Sequence, residues 1–251
     1  MSSKKIALVT GAGSGIGKGC ATALLNGGWH VVFAGRRANV LQAAIDEAGD
    51  IGEHAVAMPC DVSSEVAVAG LFASIGARFG RLDLLFNNAG VFTAPSTPDG
   101  LSAANWRAAV DVNLNGAFFC LSEAFKLMRA QSPQGGRIIN NGSISAHTPR
   151  PGSIAYTATK HAITGLTKSA ALDGRPFGIA VGQLDIGNVA SDMTEKMASG
   201  VQQADGSIKA EPRMDLSALT DTFMAMASLP LSANVLFATV MATNMPYVGR
   251  G

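Results

Sequence analysis

Ile6-Ala7-Leu8-Val9-Thr10-Gly11-Ala12-Gly13-Ser14-Gly15-Ile16-Gly17 is the stretch on which the fold turns. Its first four residues are short, apolar and bounded by glycine, the pattern of a buried strand. Helical periodicity follows through Ala21, Leu24 and Leu25. Strand, glycine-rich turn and helix together make the setting a phosphate-binding turn requires. Bare backbone approaches a pyrophosphate, and the helix start offers unpaired N–H groups at the positive end of its dipole. The spacing is Gly11-x-x-x-Gly15-x-Gly17, with Ile16 where a strict G-x-G-x-x-G pattern would not place it. An ordinary tight turn is the competing reading of the glycines alone, and the flanking strand and helix argue against it.

Outward from this turn, His30-Val31-Val32-Phe33-Ala34 reads as a second strand, placed beside the first. A site for NAD usually puts an acid about 20 residues past the glycines, at the end of this strand. Here Gly35-Arg36-Arg37 stands instead. Two guanidiniums and no carboxylate suit a 2′-phosphate, so NADP(H) is expected over NAD(H). The alternative is that both arginines only solvate a loop.

The third strand, His54 to Met58, runs into Pro59-Cys60-Asp61-Val62. Asp61 has two readings, an acceptor for an adenine amino group or a cap for the helix Val66 to Phe79. Leu82 to Phe86 forms a fourth strand ending in Asn87-Asn88-Ala89-Gly90. These carboxamides can tie strand ends together and leave room for a flat ligand, although a plain turn fits them equally well. Trp106 to Met128 reads as one long helix or a pair, with Asn113 inside it against propensity. Two more strands, Gly136 to Asn141 and Gly178 to Leu184, and a last one, Asn234 to Met241, complete the series. The expected fold is a doubly wound, Rossmann-type α/β structure of seven parallel strands with helices on both faces.

Composition supports that reading. At 251 residues, 47% hydrophobic and 15% charged, the chain can bury a large core as one domain spanning 1–251. A net charge of +1 supplies no field for nucleic acid or an anionic membrane. No leader and no spanning segment is read, so a cytoplasmic location is expected. Cys20, Cys60 and Cys120 lack metal-ligand spacing, and four scattered histidines make no metal site. Residues 191–214 are weakly periodic and carry Met193 and Met197, which suggests a substrate lid.

Chemistry enters with Ser143 and with Ala155-Tyr156-Thr157-Ala158-Thr159-Lys160. On a helix, Tyr156 and Lys160 share a face one turn apart. The ammonium should then favour the phenolate and bring the tyrosine toward neutral pH, fit to exchange a proton with an alcohol or carbonyl. Ser143 would hold the reacting oxygen.

Taken in order, Thr10-Gly11-x3-Gly15-x-Gly17, Asp61, Asn87-Asn88-Ala89-Gly90, Asn113, Ser143 and Tyr156-x3-Lys160 resemble the short-chain dehydrogenase/reductase (SDR) family across nearly the whole chain. The resemblance implies a homotetramer or homodimer acting on a small alcohol or carbonyl compound. It makes Tyr156 the general acid/base and Ser143 the group that steadies substrate oxygen. Lys160 would bind the nicotinamide ribose and lower the tyrosine pKa, and Asn113 would hold a water on the proton path. Asn87 would be structural. Gly11, Ser14, Gly15, Ile16 and Gly17 would seat the pyrophosphate, Arg36 and Arg37 the 2′-phosphate, and Asp61 and Val62 the adenine. Asn88, Ala89 and Gly90, with Gly187, Val189 and Ser191, would complete the nicotinamide half. Two departures stand out: Ile186-Gly187 replaces the Pro-Gly common after the sixth strand, and the ending Met245 to Gly251 lacks the usual glycine-rich, acidic strand end.

Two other functions are weighed: a catalytically silent nucleotide sensor or scaffold, and an isomerase or dehydratase with no net cofactor use. His147 is read as solvated, with no carboxylate in view to pair it, and His161 as structural. Phe92, Met193 and Met197 are candidates for an apolar substrate wall.

Overall fold

A computed structural model describes residues 4–190 and 200–248 of the chain. Its main sheet is built from β1 (Ile6–Thr10), β2 (His30–Gly35), β3 (Ala55–Pro59), β4 (Leu84–Asn87), β5 (Gly136–Asn141), β6 (Ile179–Ile186) and β9 (Phe237–Val240). The strand order is β3-β2-β1-β4-β5-β6-β9, and every pair is parallel. This is the doubly wound α/β fold that the alternating strands and helices lead one to expect.

Strand residues alternate between two cores because successive side chains leave a strand on opposite faces. Ala7, Val9, Phe33, Phe86 and Leu184 pack on one face with α1 (Gly15–Asn26), α2 (Ala38–Asp46) and α7 (Leu216–Ser228). Leu8, Val32, Leu85, Ile138 and Val181 pack on the other, against α3 (Glu65–Phe79), α5 (Gly116–Ala130) and α6 (Ile154–Asp173). Both faces are covered, which is why these strands read as apolar runs rather than as alternating patterns.

Three boundaries differ from the sequence reading. Of the two readings of Trp106 to Met128, the pair forms, as α4 (Ala103–Val110) and α5 with wider outer bounds and a π-helical turn over Asp111–Asn115 between them. Such a turn marks a departure from helical register, and Asn113 within it reaches the Val91 backbone and Thr159 of α6. The last strand is shorter than expected, because only Phe237–Val240 pairs with β6. Within the segment read as a lid, residues 191–199 lie outside the described residues. The remainder forms an antiparallel hairpin of β7 (Val201–Gln202) and β8 (Ile208–Lys209), and Met214 bridges back to Val189.

Neighbouring strands β1 and β4 leave the sheet in opposite directions through their connections. The carboxyl ends of the strands therefore open a crevice at that point, where ligands of such sheets bind.

Candidate active site

A cavity of about 600 Å³ lies along these strand ends, in the size range of cofactor and substrate sites. Its floor is the turn after β1. Gly11, Ser14, Gly15, Ile16 and Gly17 all line it. Gly11 holds φ +67° in the left-handed region, and a Cβ on Gly17 would lie 2.2 Å from the Gly11 carbonyl oxygen. The tight return of the chain onto α1 thus requires bare backbone at both positions. Ser14 caps α1 without a side-chain hydrogen bond, so the first-turn N–H groups remain for a ligand.

At the end of β2, Arg36 and Arg37 line the cavity, and no acid stands beside them on that strand end. Asp61 and Val62 line it after β3. Asp61 does not cap α3. Its Oδ1 accepts from the N–H and Oγ of Ser63, at 3.0 and 2.8 Å, while Ser64 caps the helix through Ala67. Those hydrogen bonds, with help from Arg36, hold its carboxyl below the usual range. An anion remains at this corner.

Polar side chains lace the centre. The Thr10 Oγ1 accepts from the N–H groups of both Asn88 and Ala89 at 2.9 Å. Asn88 Nδ2 donates to the Thr10 carbonyl at 2.8 Å, and Asn141 Nδ2 donates to Asn88 Oδ1 at 2.8 Å. Asn87 donates to the Ala117 carbonyl at 2.7 Å and faces Asn140 at 3.2 Å. The carboxamides tie β1, β4 and β5 together, and Asn88, Ala89 and Gly90 border the cavity.

Asn113 is the side chain that the π turn delivers. It is buried, and its Oδ1 accepts from Val91 N–H at 2.7 Å while Nδ2 donates to Val91 O at 2.9 Å. It also reaches Thr159 Oγ1 at 3.3 Å, so it stands behind the cavity wall rather than in it.

Ser143, Tyr156 and Lys160 meet at the far end of the cavity. Ser143 Oγ accepts from Ser145 N–H at 3.1 Å, and the Ser143 side chain is near enough to the Tyr156 phenol to favour its ionised form. Lys160, one turn along α6, donates to the Asn141 carbonyl at 2.7 Å, and its Nζ lies 5.5 Å from the Tyr156 ring centre. One expectation is overturned here. Burial pushes the phenol up to about 12, against the Ser143 side chain and the charge of Arg150. Burial likewise lowers Lys160 to about 8. Loss of water outweighs what Ser143 and Arg150 do to favour the phenolate.

Gly187 and Val189 line the cavity beyond β6, and Ser191 lies outside the described residues. Ile186 is buried, and as part of β6 it pairs with Val240. With an N–H where proline has none, the strand continues to this residue and the path to Gly187 stays regular.

Two residues that the sequence reading passed over stand at this end. Asp185 is 1% exposed, and His147 Nε2 lies 2.9 Å from its Oδ2, so His147 does have a carboxylate partner. Arg150 lines the cavity and pairs with Asn188 and with the buried Glu211. Asp185 occupies the same kind of strand-end position that drew attention to Asp61, and that was its available signal. His161 bonds the Thr157 carbonyl of its own helix, away from the cavity.

The family model described as short chain dehydrogenase matches residues 5–202. The chain belongs to the short chain dehydrogenase family. Among its relatives, a 3beta-hydroxysteroid dehydrogenase of Mediterraneibacter gnavus is 37% identical over 225 residues, covering 88% of this chain and 79% of that protein. A 3-ketoacyl-(acyl-carrier-protein) reductase from Brucella melitensis, solved with NADH, superposes with TM-score 0.83 at 26% identity, over 94% of this chain and 96% of that one. ElxO with NADP bound does so with TM-score 0.83 at 27% identity, over 94% and 97%. The chain is thus an SDR oxidoreductase with neighbours solved with NADH or NADP bound. Among the described residues, no helix is long and apolar enough to cross a membrane and no metal-binding cluster occurs.

Proposed function

We propose that this single-domain chain is an NADP(H)-preferring oxidoreductase interconverting an alcohol and a ketone or aldehyde. The observation that carries the reading is the convergence of Ser143, Tyr156 and Lys160 on the cavity that the glycine turn also lines. The residues present fit a dinucleotide. The bare turn and free α1 start suit a pyrophosphate, and Arg36 and Arg37 suit a 2′-phosphate. Asp61 and Val62 would take the adenine, and Gly187 and Val189, with Ser191, the carboxamide side.

The bound nicotinamide supplies hydride acceptance or donation. What the chain contributes is positioning and a proton. Ser143 Oγ has its lone pair engaged by Ser145 N–H, which leaves its hydrogen for a substrate oxygen. Tyr156 gives its proton to that oxygen as alkoxide character develops, or takes one from an alcohol. Lys160 stands ready to pair with ribose hydroxyls, anchored by Asn141. Asn113 ties Val91 to Thr159 behind the cavity wall.

Phe92 lies over the Tyr156 ring at 4.2 Å and is 46% exposed, an apolar wall on the substrate side. Together with the relative named for a hydroxysteroid, it favours apolar cyclic secondary alcohols as first candidates. Exposed Trp106, Phe118 and Leu172 on α4, α5 and α6 suit burial in a homotetramer or homodimer. A cytoplasmic location accords with that picture. The test is consumption of NADPH and NADH with cyclic and acyclic ketones. Turnover with NADPH supports the proposal. Cofactor binding without turnover on any ketone indicates the silent sensor, and product without net cofactor change an isomerase or dehydratase.

A further inference from the structure

Asp185 ends β6 beneath the turn that carries Ser143. Its Oδ1 accepts from Ser143 N–H at 3.0 Å and from Gln183 Nε2 at 2.7 Å, while Oδ2 faces His147 Nε2 at 2.9 Å. Both ends of the one-turn 3-10 helix over Ile144–Ala146 are therefore tied to one carboxylate. The seat is built for it. A Cβ on Gly142 would lie 2.0 Å from Asp185 Oδ1, so only glycine there admits the acid.

We propose that Asp185 and His147 are positioning residues, the carboxylate pinning the Ser143 turn at both ends and setting the charge felt by Tyr156 and Lys160. This rests on the reading of Tyr156 as the acid/base group. The charged and titratable groups facing this corner are His147 from the turn, Arg150 before α6 with its partner Glu211, and Tyr156 and Lys160 from α6. Facing ends of β5 and β9 bring only neutral residues. An anion buried here disfavours the phenolate and favours the ammonium, as the Asp185 contribution to both groups does. It keeps the proton on Tyr156 and so favours the donor role needed for carbonyl reduction. It leaves the overall equilibrium untouched.

The chain has two tyrosines, so a Tyr247→Phe background leaves Tyr156 alone to report. Its tyrosinate absorbance is titrated in the full chain, with circular dichroism recording the folded range. Asp185→Asn preserves shape and removes charge, and should move the midpoint down by about one pH unit or more. His147→Ala frees the far end of the turn and loosens the placing of the Ser143 hydroxyl beside the phenol, so it should move the midpoint up, as Ser143→Ala also should. Opposite shifts are the signature that plain structural damage would not give. A midpoint unmoved by Asp185→Asn overturns the charge role, and one unmoved by His147→Ala overturns the pinning. If Asp185→Asn does not fold, the exposed His147 variant decides. Full turnover in Tyr156→Phe would instead overturn the functional reading, leaving these shifts intact.

Discussion

Lys160 donates to the main-chain carbonyl of Asn141 at 2.7 Å, an ammonium held against the end of β5 and almost out of water. The partner is a neutral dipole, so the lysine's charge is poorly compensated in the free chain. Its pKa falls to about 8 for that reason, with Asp185 opposing the drop.

A pH dependence of stability follows. The folded chain releases the Lys160 proton near pH 8, the unfolded chain near 10.5. Between those values the unfolded state holds more protons, so this group makes the fold more stable as pH rises. Below pH 8 the penalty is complete, and above 10.5 it is gone. Wild type should therefore gain stability relative to Lys160→Met between pH 8 and 10.5, read by urea denaturation of both proteins. Parallel curves across that window would contradict the burial argument.

Replacing Tyr156 with Phe removes one hydroxyl and leaves the cavity's shape. Turnover should fall by a factor on the order of 100 or more while cofactor affinity is retained. Steady-state rates beside a binding titration give both numbers.

Arg36→Ala should weaken NADPH about 10-fold or more and leave NADH nearly unchanged, since only the former carries the phosphate a guanidinium pairs with. Equal losses in calorimetric titrations of the two cofactors would assign the arginines to solvation.

Gly17→Ala places a methyl 2.2 Å from the Gly11 carbonyl oxygen and 2.5 Å from Asn88 Nδ2. Backbone cannot yield there as a flexible side chain would. Cofactor affinity should drop by at least about 10-fold, with a lower melting temperature, whereas Gly165→Ala, in open space on α6, should leave affinity unchanged and raise the melting temperature.

The strands were legible because both sheet faces are buried, which leaves unbroken apolar runs such as Ile6 to Val9. Their ends were less so. Val235 and Leu236 continue an apolar pattern, yet the pairing with β6 starts at Phe237, and only tertiary position decides that. The convergence of Ser143, Tyr156 and Lys160 could be anticipated from a helical spacing and one upstream serine. The acidity of the phenol could not, because counting a neighbouring charge omits the water lost on burial. His147 and Asp185 are separated by 38 positions and meet because β5 and β6 are neighbours. No local pattern in the chain announces such a pair. Asn113 was conspicuous against helix propensity, but its reason, a π turn that aims it at Val91, is a property of the folded backbone.

The lacing of Thr10, Asn88 and Asn141 bears on how the two halves of a ligand would sense each other. Thr10 borders the glycine turn, and Asn141 supplies the carbonyl that restrains Lys160. A tug on the pyrophosphate seat is thus carried by two side-chain links to the amine beside the phenol. If a nucleotide loads on that seat, these three short polar side chains are the route by which it would stiffen the corner around Lys160.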